Sequence, residues 1–346
     1  MRTPDIFIKA TGKFLPETVS VEQAIEQGHY STELVELHEL GGVTIAGDTP
    51  SPEMALRAAQ EAFKRSGHRP EDVDLLLYVN SWHQGPDGWQ PQYYVQRHLV
   101  GGDALAVNVQ HGCNGMFSAL ELAAGQLQAG ERPRSALLVA SDNFGTPLVD
   151  RWHLGPFIAA DAASAVILTT DPGFARLLAV GSVTVPEGEL YHRGAEPLFP
   201  PGATIGRILD FESRHDYFRE QAQSGGELAD VLARVHKQTI EVVQRTLSEA
   251  GIGIGDITRV ACMNFSREIV EQRLLEPIGL PMSLSTWESG RMLGHAGPSD
   301  QLISFDRLVT TGELGPGDHM LMLGMGPGIT ISCAVVKVLT PAPWSN

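Results

Sequence analysis

HGCNGMFSALELAAGQLQAG, residues 111–130, has a counterpart in LGHAGPSDQLISFDRLVTTG, residues 293–312, and the match between the two decides the fold. Gly112 aligns with Gly294, Cys113 with His295, Gly115 with Gly297, Leu120 with Leu302 and Gly130 with Gly312, all at one separation. Each copy reads as a Gly-X-x-Gly turn, a helix, a glycine stop and then a strand. In the first copy Met116, Leu120, Ala123 and Leu127 form one helical stripe, and the strand after it, SALLVAS (135–141), is a nearly unbroken apolar run.

Upstream of each copy lies a second matched block, residues 57–81 and 241–265, each a helix, a turn and a buried strand. Gly67 pairs with Gly251, Asp72 with Asp256 and Asn80 with Asn264, and the strand of the second block is read as ending at Asn264. Downstream, DAASAVILTT (161–170) and TISCAVVKV (330–338) supply a last strand to each half. Apolar strands alternating with helices mean sheets covered on both faces, so the expectation is an α/β protein of two similar halves, 1–172 and 173–346. Residues 184–226, with LFPPG and DFESRHDYF, break the pattern and read as a cap-like insertion or loop carrying substrate contacts.

Composition narrows the function. The chain has 346 residues, 42% of them hydrophobic, and a net charge of -16, which repels nucleic acid and anionic membrane surfaces. No window is long and apolar enough to span a bilayer, and Asp5 interrupts the first apolar stretch, so a cytoplasmic protein is expected. Three cysteines, Cys113, Cys262 and Cys333, form no CxxC and cannot all pair. The histidines show no metal-ligand spacing, and no metal or cofactor is expected.

A duplicated fold brings equivalent points together around a pseudo-twofold axis, so Cys113 and His295 are expected to face each other from matching helix starts. A helix N-terminus favours a thiolate, and Asp300, five residues after His295, is placed to orient the imidazole. Cys262 and Cys333, inside buried strands, read as small core residues. The run Gly324-Met325-Gly326-Pro327-Gly328 precedes a strand instead of opening a helix, so it is not a dinucleotide loop; it reads as backbone lining a pocket.

The order Cys113, insertion, Asn264, Gly-His-Ala-Gly at 294–297 and GMGPG at 324–328, with LPETVS at 15–20 and AADAASAVIL at 159–168, resembles the thiolase-fold condensing enzymes. The β-ketoacyl-acyl carrier protein synthase III branch is the most similar. The resemblance covers essentially the whole chain and implies a duplicated αβαβα architecture, a Cys113 acyl-enzyme, an acyl carrier protein or acyl-CoA donor and a homodimer, for which Ala104 to Val109 is the candidate edge. In that family a His stands where this chain has Asn264, and an Asn where it has His295. The exchange resembles a divergent acyltransferase subgroup, of the cervimycin malonyl transferase type, that esterifies sugar hydroxyls of antibiotic glycosides with a Cys-His-Asp set. That resemblance implies Cys113, His295 and Asp300 as catalytic residues. Asn264 is expected to position an acyl carbonyl or acceptor group, and Gly328 to assist the Cys113 backbone N–H as oxyanion donor, since Pro327 has no N–H. No Lys or Arg lies between Lys13 and Arg57, where the family carries an arginine at its coenzyme A entrance, so a carrier-bound donor fits better. Arg97, Arg151, Arg207 and Arg267 are the candidate partners for a malonyl carboxylate. A decarboxylating condensing enzyme and a non-catalytic partner subunit are the two alternatives.

Overall fold

A computed structural model describes residues 1–130, 134–228 and 230–345. The first half runs β1 (Phe7–Phe14), a small ribbon of β2 (Thr18–Ser20) and β3 (Gly42–Thr44), then β4 (Leu75–Val79), β5 (Leu105–Val109), β6 (Ser135–Asp142) and β7 (Ala162–Thr169). The second runs β8 (Ala175–Thr184), β9 (Ile257–Ala261), β10 (His319–Gly326) and β11 (Thr330–Val338).

Strand order exposes the duplication. The sheet reads β5-β4-β6-β7-β1 and then β8-β11-β10-β9. In the first half β4 is parallel to β5 and β6, while β7 is antiparallel to β6 and β1. The second half mirrors it, with β10 parallel to β9 and β11 antiparallel to β10 and β8. Its fifth strand is reduced to a single parallel bridge, Val260 to Ser285. The halves join where β1 meets β8 through only two residue pairs, Phe7 with Arg176 and Ile8 with Ala175.

Alternation along the strands then sets five layers. Leu75, Leu77 and Leu138 from one half, with Met320, Met322 and Val336 from the other, face a shared core that holds helices Gly115–Gln128 and Asp300–Thr310. The opposite faces are covered separately. Leu76, Tyr78 and Val139 pack on helix Ser51–Ser66, whereas Leu321, Cys333 and Val335 pack on helix Val231–Ala250. The two helices of the 111–130 and 293–312 repeat are therefore the central layer, and their N-terminal turns meet between the two halves of the sheet.

The insertion at 184–226 is more regular than a loop. Helices Glu189–Arg193 and Phe211–Gln223 form within it, the second started by Asp210, whose Oδ1 accepts the Ser213 N–H at 2.9 Å. The second block also needs adjustment at its end. Its strand stops at Ala261, and Asn264 lies three residues beyond, in a turn closed by the Phe265 N–H donating to Met263 O. At the free edge of the sheet β5 carries Leu105 and Val107 exposed at 55% and 37%. No helix among the described residues is long and apolar enough to cross a membrane.

Candidate active site

Cys113 sits in the tight turn Gly112–Asn114 that opens helix Gly115–Gln128. Gly112 has φ of 52°, and a Cβ there would lie 2.5 Å from Pro327 Cδ, so the loop between β10 and β11 closes directly on this turn. Asn114 fixes the turn to the other half, its Nδ2 donating to Thr330 O at 2.6 Å and Ser332 Oγ at 3.1 Å.

His295 comes from the facing repeat. It does not itself open the helix: it lies on a strand-like bridge ahead of it, its N–H donating to Ile158 O and its O accepting from Ala160 N–H, both at 2.9 Å. The turn Gly297–Ser299 then leads into helix Asp300–Thr310. The imidazole is only 2% exposed; Phe157 and Phe265, stacked at 4.7 Å, each meet it edge-on at 4.9 and 4.8 Å.

These placements connect three side chains. His295 Nε2 is 3.0 Å from Cys113 Sγ, and His295 Nδ1 is 2.5 Å from Asp300 Oδ2. Asp300 is fully buried and also accepts the Asn264 N–H at 2.8 Å, the Ala296 N–H at 2.8 Å and Asn264 Nδ2 at 3.1 Å. Burial alone would lower the His295 pKa, but the Cys113 sulfur and the Asp300 carboxylate outweigh it and raise it to about 10. An imidazolium held between a sulfur and a carboxylate is the arrangement of an activated cysteine nucleophile.

A cavity of about 430 Å³ opens at Cys113. Its wall is largely apolar, with Leu154, Phe157, Phe265, Met263 and Met325 from the two halves. Tyr191, His192, Phe211 and His215 come from the cap, so the insertion reaches the site.

Residues 107–183 match the 3-oxoacyl-[acyl-carrier-protein] synthase III family, and residues 247–338 match its C-terminal part. The β-ketoacyl-[acyl-carrier-protein] synthase III of Erythrobacter litoralis is 28% identical over 343 residues, 95% of this chain and 98% of its own. The structure of ChlB3, an acyltransferase, superimposes with a TM-score of 0.93 at 72% identity, covering 99% of this chain and all of that one. The chain belongs to the synthase III-like, thiolase-fold family. The synthase III of Aquifex aeolicus shares the fold at a TM-score of 0.77 and 20% identity, covering 96% of this chain and 99% of its own.

As a synthase III-like enzyme the protein transfers acyl groups, and its site departs from several expectations. Asn264 does not line the cavity: its amide hydrogens go to Gly294 O at 2.8 Å and to Asp300, because the turn after Ala261 aims the side chain at the helix start. It is a positioning residue for Asp300. Gly328 is also absent from the lining; it sits at the hairpin tip with φ of 92°, and Gly326 and Pro327 form the wall. None of the four candidate arginines lines the cavity. Arg151 is paired with buried Asp161 at 3.1 Å, Arg207 with Glu196, and Arg267 with Glu271 and Glu39, while Arg97 is exposed. Arg273, exposed, is the arginine that does line it. Cys262 and Cys333 are buried, which pushes both thiols up to about 12. Among residues the sequence did not single out, Asp142 accepts the Ser81 and Trp82 N–H groups behind the Gly297 turn, and burial raises its pKa to about 7.

Proposed function

We propose that the protein moves an acyl group in two steps through Cys113. The thiolate attacks the carbonyl of an acyl thioester on a carrier protein or coenzyme A; the bond from carbonyl carbon to the arm's sulfur breaks, and the departing thiolate takes the proton of the His295 imidazolium. Neutral His295 then takes the proton of an acceptor hydroxyl as that oxygen attacks the acyl-Cys113 carbonyl. The bond to Cys113 breaks, an ester leaves and the thiolate–imidazolium pair is restored.

The observation that carries this reading is the continuous line from Cys113 Sγ through His295 to Asp300 beside the cavity. Acylation neutralises the sulfur, the foremost of the influences that raise the His295 pKa, so one residue serves as proton donor in the first step and base in the second. Asp300 holds the proton on Nδ1 and so aims the Nε2 lone pair at the reacting oxygen.

The likeness to the acyltransferase ChlB3 supports acyl transfer, and the largely apolar, aromatic wall suits a bulky small-molecule partner such as a glycosylated polyketide antibiotic. Decarboxylative condensation is disfavoured, because both amide hydrogens of Asn264 are committed to Gly294 O and Asp300 and are not free for a malonyl carbonyl. A non-catalytic partner subunit gives no reason for the intact Cys-His-Asp line. The exposed edge of β5 is proposed as the homodimer contact, and the cytoplasm as the location.

The test supplies acyl thioesters on a carrier protein together with hydroxyl acceptors, and follows product by mass. Ester formed by wild type and not by Cys113→Ala is expected. A ketoester with carbon dioxide release would overturn the assignment, and acyl appearing on a second carrier's thiol would replace the hydroxyl acceptor.

A further inference from the structure

The cap brings two histidines to the Cys113 cavity that the proposed transfer does not use. His192 lies in helix Glu189–Arg193 and His215 in helix Phe211–Gln223, with ring centroids 6.2 Å apart and planes at 89°. Both are held by aromatic packing. Tyr191 stacks on His215 at 3.8 Å, and Phe211 lies edge-on to His192 at 5.8 Å. Yet His192 Nδ1 and His215 Nε2 are buried with no hydrogen-bond partner among the described residues. Buried polar nitrogens without partners are uncommon, and a pair of them on the wall of a largely apolar cavity marks a place where a ligand completes the bonding.

We propose that His192 and His215 form a hydrogen-bonding subsite for a neutral hydroxyl or carbonyl oxygen carried by the acyl group on Cys113, making them specificity-determining residues. The inference rests on the acyl-enzyme reading above. Burial lowers both pKa values to about 4, reinforced at His192 by the neighbouring His215 and Arg214 and at His215 by Arg219 and Arg214 against the opposing charge of Asp216, so both rings are neutral at pH 7. A neutral imidazole offers one N–H and one lone pair, which matches a hydroxyl or, through the N–H, a carbonyl. It does not compensate a carboxylate. The one Arg or Lys among the lining residues, Arg273, is exposed, so a malonyl group is a poor fit and an oxygen-bearing, otherwise apolar acyl group a good one.

The test uses hexanoyl and benzoyl thioesters on one pantetheine arm, each either plain or with a single hydroxyl moved from carbon to carbon, and malonyl as the anion. Acylation of Cys113 is timed by intact mass for wild type, His192→Phe and His215→Phe, substitutions that keep an aromatic ring. Wild type is expected to prefer at least one hydroxylated member over its parent by about tenfold, the size of one hydrogen bond, with malonyl slowest. The preference should fall to near unity in one or both variants, while iodoacetamide still alkylates Cys113 at the wild-type rate, showing an intact nucleophile. No preference in wild type, or a preference unchanged in both variants, overturns the subsite. Failure of every donor to load Cys113 when ester product still forms overturns the acyl-enzyme reading instead.

Discussion

Replacing Asp300 by Asn tests the proton-handling half of the site with almost no change in volume. Asp300 is ringed by four donors: Oδ2 receives His295 Nδ1 and the Asn264 N–H, and Oδ1 receives the Ala296 N–H and Asn264 Nδ2. An amide has one acceptor oxygen, so its NH2 must face two of those donors. Losing two bonds to a buried carboxylate, at about 1.5–3 kcal/mol each, costs about 3–6 kcal/mol, or roughly 5–10 °C in Tm. If the NH2 faces His295, the ring must accept on Nδ1 and carry its proton on Nε2, where it no longer serves as a base. Transfer from acyl-Cys113 should then slow by about 10³–10⁴. Thermal melting and single-turnover discharge of an acyl group loaded from an acyl-N-acetylcysteamine thioester measure the two effects separately. Wild-type Tm together with wild-type discharge in Asp300→Asn would mean that the carboxylate neither anchors the turn nor sets the imidazole tautomer.

Three further outcomes follow from the same geometry. Cys113→Ala removes the foremost influence raising the His295 pKa, so NMR titration should find it well below the wild-type value of about 10. The linked sign is fixed: a raised folded pKa means the pair stabilises the fold fully below about pH 6.5 and loses that contribution as pH rises through about 10, so the pH dependence of Tm should flatten in the variant. Gly112→Ala puts a methyl group 2.5 Å from Pro327 Cδ at φ of 52°, and Cys113 acylation should fall at least about 100-fold by intact-mass kinetics as the nucleophile shifts. Leu105→Arg with Val107→Lys on the exposed edge strand should leave a monomer by light scattering, against the dimer proposed for wild type.

The duplicated halves and the meeting of Cys113 with His295 were readable because they depend on spacing alone: matched glycines put equivalent turns at equivalent ends of two central helices. Asp300 followed from its position in the first turn. Asn264 did not, because the direction of an amide depends on what stands across from it, here Asp300 and Gly294 O, thirty or more residues away. Phe157 and Phe265, which clamp the imidazole, sit in unrelated segments and carry no local pattern. The cap helix Phe211–Gln223 buries little of itself, Phe218 alone being fully enclosed, so its apolar periodicity was too weak to distinguish it from a loop.

Passage of the acyl group through Cys113, and its departure with the help of His295, can be watched directly. Rapid-quench intact mass of wild type and His295→Ala, loaded from one acyl-N-acetylcysteamine thioester and then mixed with a hydroxyl acceptor, follows both steps. One acyl mass per chain is expected, mapped to the Cys113 peptide, formed in both proteins though more slowly in the variant, and discharged rapidly only by wild type. Equal discharge from both proteins, or ester formed with no acyl mass ever on Cys113, would contradict this route.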